Sequence, residues 1–302
     1  MSAASPSPAL YRWALATLAM TIILTVGIGG VVTSTETGMA YPTWPNINSQ
    51  GLFNFFYASL AEDYGTGSAL EHTHRQAGAL VGILAIVCVV VAWRTRRELT
   101  RMAALVLALI SLQGVLGAFR VLGNTQGGAI IHAMGAQVVI VALVILLKRA
   151  HPQWSGFAPR AAGDSAEGRL RFWTSAGLVL LFLNLLAAAS LRHKAGAFSG
   201  HLVLALTASA VLLTAVFRSL RDFRGRARLA RAAKGVAHTI GLQLGLGLAT
   251  WAFLFGPLTD QLADERSRFL VQTGLASGHL VLGVILMAAA TNLALEARRA
   301  SA

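Results

Sequence analysis

The sequence predicts an all-α fold: a polytopic membrane protein of eight transmembrane helices with little polypeptide outside the bilayer. Hydrophobic residues make up 55% of the 302 and charged residues only 12%, with a mean hydropathy of +0.63, where a soluble domain carries about 25% charged residues. The apolar residues also come in long blocks, each near the roughly 20 residues that cross a hydrocarbon core of about 30 Å. Basic residues, finally, gather in alternate segments between the blocks. In lipid every backbone amide needs a partner, and blocks rich in Leu, Ala and Gly without polar alternation supply one as helices rather than as a barrel.

The first block, residues 11–33, has neither the charged stretch nor the cleavage site of a removable leader and is expected to remain as a span. A long segment with Trp44, Pro45, Phe53, Phe55, Phe56 and Tyr57 separates it from the second block at 72–93. Blocks at 102–120 and 128–147 complete a first set of four, and a polar stretch with Gly and Pro, 151–171, leads to 172–191, 198–217, 233–255 and 268–291. Arg94, Arg96, Arg97 and Arg101 follow block two; Lys148, Arg149, Arg160, Arg169 and Arg171 follow block four; seven cations lie between Arg218 and Lys234 after block six. With Arg12, Arg298 and Arg299, nineteen of the 25 Lys and Arg fall on one side, so the positive-inside rule places both termini in the cytoplasm. The net charge of +13 is therefore read as a topology signal, and no nucleic-acid partner is expected. The opposite side holds Glu36, Glu62, Asp63, Glu71, Asp260, Asp264 and Glu265. The single cysteine, Cys88, allows no intramolecular disulfide.

An internal repeat divides the chain. Leu112-Gln113-Gly114-Val115-Leu116-Gly117 in the third block returns as Leu242-Gln243-Leu244-Gly245-Leu246-Gly247 in the seventh, and the block after each opens with a histidine, His132 and His279. The blocks before these pairs do the same, with His74 and His201. Two four-helix halves, 1–150 and 172–302 joined by 151–171, are expected to form a parallel repeat about an axis near the membrane normal, with matching residues at matching depth.

Of the eight histidines, His151 and His238 fall on the cytoplasmic side and the other six near the outer ends of spans. An ionisable residue in a span is costly and a functional candidate by default. For any single one, hydrogen bonding at the interface explains it equally well. The repeat shifts that balance, because His74 with His132 and His201 with His279 form two matched pairs, each drawn from two helices of one half. Facing imidazoles in a bundle suit the axial positions of a haem iron, and zinc is disfavoured because the neighbours offer no Cys and few acids. His193, in the short loop before block six, rivals His201 as ligand. Gly27, Gly29, Gly30, Gly78, Gly82, Gly114, Gly117, Gly245 and Gly247 admit either a flat macrocycle or a neighbouring helix. Arg75, Arg120, Arg192 and Lys194 are the cations that could meet haem propionates, or else snorkel to the interface.

Glu71-His72-Thr73-His74-Arg75 breaks the symmetry, since its carboxylate shares a helical face with His74 and nothing acidic precedes His201. An acid beside one pair alone suggests chemistry at that site and a spectator haem at the other. With Gly29-Gly30-Val31-Val32-Thr33, the loop Thr37-Gly38-Met39-Ala40-Tyr41-Pro42-Thr43-Trp44-Pro45 and the paired histidines, the segment resembles the haem A synthase family. The resemblance implies oxidation of the C8 methyl of haem O to the formyl group of haem A, for assembly of cytochrome oxidase. It implies that haem O sits between His74 and His132 and haem B between His201 and His279, with Glu71 as a catalytic carboxylate and Arg75 among the haem-binding residues. It further implies a cytoplasmic (inner) membrane location with the haem sites toward the outer face, and haem O synthase and an electron acceptor or donor as candidate partners. The chain departs from many family members in having Met39, Ala40 and Tyr41 where a cysteine pair is expected. A dihaem electron-transfer protein of cytochrome b type explains the paired histidines equally well. It leaves unexplained the one-sided Glu71 and the long aromatic first outer loop, which suits a lid over a substrate site. A transporter would show helices interrupted near mid-membrane.

Overall fold

The computed structural model describes residues 8–38, 40, 43–44, 51–53, 57–154, 156–158, 165–262 and 264–299. Its helices are α1 (Ala9–Ser34), α2 (Tyr57–Tyr64), α3 (Thr66–Thr95), α4 (Thr100–Gly123), α5 (Gln126–Ala150), α6 (Ala166–Arg192), α7 (Phe198–Asp222), α8 (Ala227–Leu254) and α9 (Glu265–Glu296). All except α2 are long and apolar enough to cross a membrane, and the protein is a multi-pass membrane protein. Each expected block falls on one of these eight helices, the block 233–255 running one residue past Leu254, and most of the helices extend beyond the apolar stretch into polar residues. α3, α6 and α8 each begin six residues before the expected block, and at α3 the start at Thr66 carries His74 about two turns inside the helix.

Local signals explain the ends. Gly65, at φ 86°, makes the positive-φ junction between α2 and α3, a conformation that favours glycine. The helix α2 was expected as loop; Leu60 on it is fully buried against Ala69, and that contact fastens it. Thr125, Ser165 and Asp264 cap α5, α6 and α9 by accepting from the N–H groups of Gly128, Gly168 and Ser267. The bond from Ser267 also holds the Asp264 carboxyl below its usual range. Inside α1, residues Thr21–Val26 take a π conformation.

Buried apolar residues form two main clusters. One joins Leu10, Val81, Val106 and Leu143 from α1, α3, α4 and α5 with Val284 and Leu295 of α9; the other joins Leu181, Leu212, Val236 and Met287 from α6, α7, α8 and α9. Large apolar side chains such as Phe119, Leu122 and Leu248 face outward, as suits a protein whose solvent is lipid. The first four and last four spanning helices meet through α1, α5 and α9. A Cβ at Gly30 on α1 would stand 3.2 Å from Leu280 and 3.3 Å from Ser277 on α9, and the hydroxyls of Ser34 and Ser277 lie 3.3 Å apart. At the opposite end of the bundle Lys148 on α5 forms an ion pair with the buried Glu296 on α9.

Breaking a buried pair strands the remaining charge. Glu296→Ala is expected to lower the unfolding free energy by about 3 kcal/mol, measured by denaturation in detergent, and replacing Lys148 and Glu296 together by Leu should recover most of that loss.

Candidate functional site

His74 on α3, His132 on α5, His201 on α7 and His279 on α9 all line one cavity of about 990 Å3, at the upper end of the roughly 300–1,000 Å3 typical of ligand pockets. The repeated motif accounts for two of these positions. On α4, Gln113 Nε2 donates to the His132 carbonyl at 2.5 Å and lies 3.2 Å from its ring Nδ1. One turn on, a Cβ at Gly117 would stand 3.3 Å from His132 Cε1. On α8, Gln243 Nε2 donates to the His279 carbonyl at 3.2 Å and lies 3.4 Å from its ring Nε2, and a Cβ at Gly247 would stand 2.9 Å from Cε1. The glutamine orients the next helix's histidine and the glycine makes room for its ring.

The other two histidines rest on the first helix of their own half. The His74 ring meets the main chain of Thr25, and a Cβ at Gly29 would come within 2.8 Å of it; the His201 ring meets the main chain of Asn184. His201 and His279 face each other with ring centroids 6.3 Å apart and planes at 84°. His193, the rival, instead lies just past the end of α6 and lines the cavity beside Arg120 and Arg192. Burial, then the charges of Arg120 and Arg192, push its imidazole down to about 4.

Glu71, 3% exposed, lines the same cavity as His74. Its carboxylate accepts from Arg75 Nη2 at 2.5 Å, and Arg75 Nη1 donates to the Thr43 carbonyl at 2.7 Å. The position three before His201 is Phe198, so the second half has no acid there. Arg192 donates to the Gly30 carbonyl at 2.7 Å and Ser34 Oγ at 2.6 Å, tying α6 to α1 across the cavity rim. Lys194 reaches Glu36 at 3.0 Å, but both are largely exposed and the pair contributes little. Trp44 and Leu52 of the first long loop also line the cavity. Met39, Tyr41, Pro42, Pro45, Phe55 and Phe56 lie outside the described residues.

The glycines divide between the two roles open to them. Gly29, Gly117 and Gly247 accommodate histidine rings, and Gly30 admits α9. Gly78, Gly82 and Gly114 line the cavity with nothing within 4 Å of a would-be Cβ, leaving open wall against which a flat ligand could lie. The donor set is consistent with a macrocycle-bound ion. Nδ1 of His74, His201 and His279 is buried without a protein partner. Among the described residues no group of three or more His, Cys, Asp or Glu is placed to hold a metal, so two imidazoles per site suit an iron whose remaining positions a porphyrin fills. Sequence reasoning quoted Gln113 and Gln243 without giving them a role; their fixed spacing from Gly117 and Gly247 was the available signal. It missed Thr25 and Gln137, both on the cavity wall.

The profile of the COX15-CtaA family, described as cytochrome oxidase assembly protein, matches residues 11–200. That match takes in Glu71, His74 and His132 and stops one residue short of His201. The chain is also 27% identical over 152 residues to the Heme A synthase of Azorhizobium caulinodans. The similarity covers 47% of this chain and 43% of that protein, so the chain spans less than half the length of the curated relative it matches.

The low value at His193 fixes a pH dependence. The unfolded chain takes up a proton near the ordinary value of 6.5, while the folded chain resists until about 4, so stability falls as pH drops through that window. Thermal unfolding in detergent should show a shallower decline between pH 6.5 and 4 for His193→Asn than for the unsubstituted protein.

Proposed function

Because this chain belongs to the COX15-CtaA family of cytochrome oxidase assembly proteins, we propose that it is a haem A synthase, oxidising the C8 methyl of haem O to a formyl group. The observation that carries the reading is the asymmetry of the cavity: two matched histidine pairs, with a buried carboxylate at one alone. Haem O is the substrate of the N-terminal half, 1–150, between His74 and His132. Haem B is the resident group of the C-terminal half, 172–302, between His201 and His279. Iron held by paired imidazoles supplies electron transfer at a potential that ligand, burial and hydrogen bonding set.

The chain's own residues divide the remaining work. Gln113 and Gln243, donating to the His132 and His279 carbonyls, fix the stretches of helix that carry those two rings. Arg120, Arg192 and Lys194 give the cavity a cationic rim suited to propionate carboxylates. Arg75, bonded to Glu71, keeps that carboxylate oriented at the cavity wall. Glu71 then takes up a proton lost from the methyl carbon or steadies charge developing beside it. Trp44 and Leu52 bring the first long loop onto the cavity wall. The family and the cation distribution support a cytoplasmic membrane location with the rim toward the outer face. Taking the methyl to the formyl group adds one oxygen atom, supplied by water or dioxygen, and, with water as the source, releases four protons and four electrons, so an electron acceptor is a partner; haem O synthase is a candidate source of the substrate. A dihaem electron-transfer protein would have no use for Glu71.

Glu71→Gln keeps the shape of the side chain and removes its charge. Bound haem should persist in this variant while haem A disappears from its extracts; loss of all haem would make Glu71 structural instead. His201→Ala should abolish one low-spin absorption component and His193→Ala should leave it intact, with the reverse result exchanging their roles.

A further inference from the structure

Threonines in these spanning helices routinely donate to the carbonyl four residues back: Thr17 to Trp13, Thr21 to Thr17, Thr33 to Gly29, Thr207 to Val203 and Thr291 to Met287 among them. Thr25 departs from this habit. It lies in the π segment Thr21–Val26, whose wider turn changes the register of side chain and carbonyl, and its buried hydroxyl has no partner. Gln137 on α5 is 4% exposed and its Oε1 is likewise unpartnered. Both residues line the cavity. An unmet hydrogen-bonding group in an apolar interior is costly, and two on one cavity wall imply a ligand that meets them.

Their place along the bundle is defined. Gln137 lies five residues past His132, about 7.5 Å along the helix, and Thr25 lies four residues before Gly29, about 6 Å. Both displacements run from the histidines toward the end of the bundle where the chain termini lie, away from Arg120 and Arg192. In the second half, five residues past His279 stands Val284, packed in the apolar core, and Asn184, which meets His201 as Thr25 meets His74, has a buried unpartnered Oδ1 that lies off the cavity lining. Glutamine Oε1 only accepts, so its partner must donate, and a threonine hydroxyl can donate to that same partner's oxygen. A hydroxyl satisfies both.

We propose that Gln137 and Thr25 form a hydrogen-bonding subsite for a hydroxyl carried on the membrane-buried edge of the macrocycle in the N-terminal half. The subsite rests on the reading of that half as the haem O site. It is a specificity device: haem O carries a hydroxylated side chain and haem B does not, and the corresponding residues of the second half, Val284 and Asn184, do not line the cavity.

The test is a spectrophotometric titration of the full-length protein in detergent, already carrying haem B in its C-terminal half, with haem O and separately with further haem B. Gln137→Leu should lose about tenfold in haem O affinity, and Thr25→Val a comparable or smaller factor, with haem B affinity unchanged in both. Ligand-free Gln137→Leu should also melt no lower than the unsubstituted protein, because it removes a buried amide oxygen that lacks a partner; a purely structural glutamine would melt lower. If the unsubstituted protein prefers haem O and makes haem A while both variants keep that preference, the subsite is overturned and the synthase reading stands. Failure of the unsubstituted protein to bind haem O in its N-terminal half would overturn both.

Discussion

A glutamine and a glycine one turn apart on one helix grip the histidine of the next, and this contact occurs twice, at Gln113 and Gly117 on His132 and at Gln243 and Gly247 on His279. Each side of the grip answers a separate physical demand. The glutamine's donation to the histidine's own carbonyl fixes the stretch of helix that carries the ring. A ring that size between two packed helices also needs a missing side chain opposite it. With the two histidines set this way, His74 and His201 complete each pair from α3 and α7, resting on the main chains of Thr25 and Asn184.

The cavity that results is graded along the bundle. Arg120, Arg192 and Lys194 make one end cationic, the imidazoles occupy the middle, and Thr25 and Gln137 leave neutral polar groups deeper still. A ligand with carboxylates at one edge, a metal at its centre and a largely apolar remainder fits this gradient in one direction only. The low value at His193 belongs to the same pattern, since burial first, and then the charges of Arg120 and Arg192, disfavour its protonated form. Arg192 is also a strut: by bonding the Gly30 carbonyl and Ser34 it holds α6 to α1, so the rim and the joint between the first and last four spanning helices share a residue.

Much of this was legible in the sequence, for reasons that differ by residue. The eight spans were, because lipid imposes a length and a composition that few other folds share. Their ends were not, because Thr66 to Glu71 is polar and reads as loop, although the helix continues through it. The short α2 was hidden for a similar reason: its anchor is the tertiary contact of Leu60 with Ala69, not a local pattern. The paired histidines stood out because a repeat makes coincidence improbable, and the structure sets His201, not His193, opposite His279. Arg192's bonds to α1 and the π turn at Thr25 depend on neighbours far away in the chain, and no spacing rule announces them.

The central claim is that one cavity treats two haems differently, converting the one beside Glu71 and retaining the other. The most direct measurement is the identity of the haems extracted from the unsubstituted protein after expression with a haem O source, by chromatography and mass. The account predicts haem A, or its hydroxylated precursor, together with haem B. Recovery of haem B alone, with haem O supplied, would contradict it and leave a dihaem electron-transfer protein.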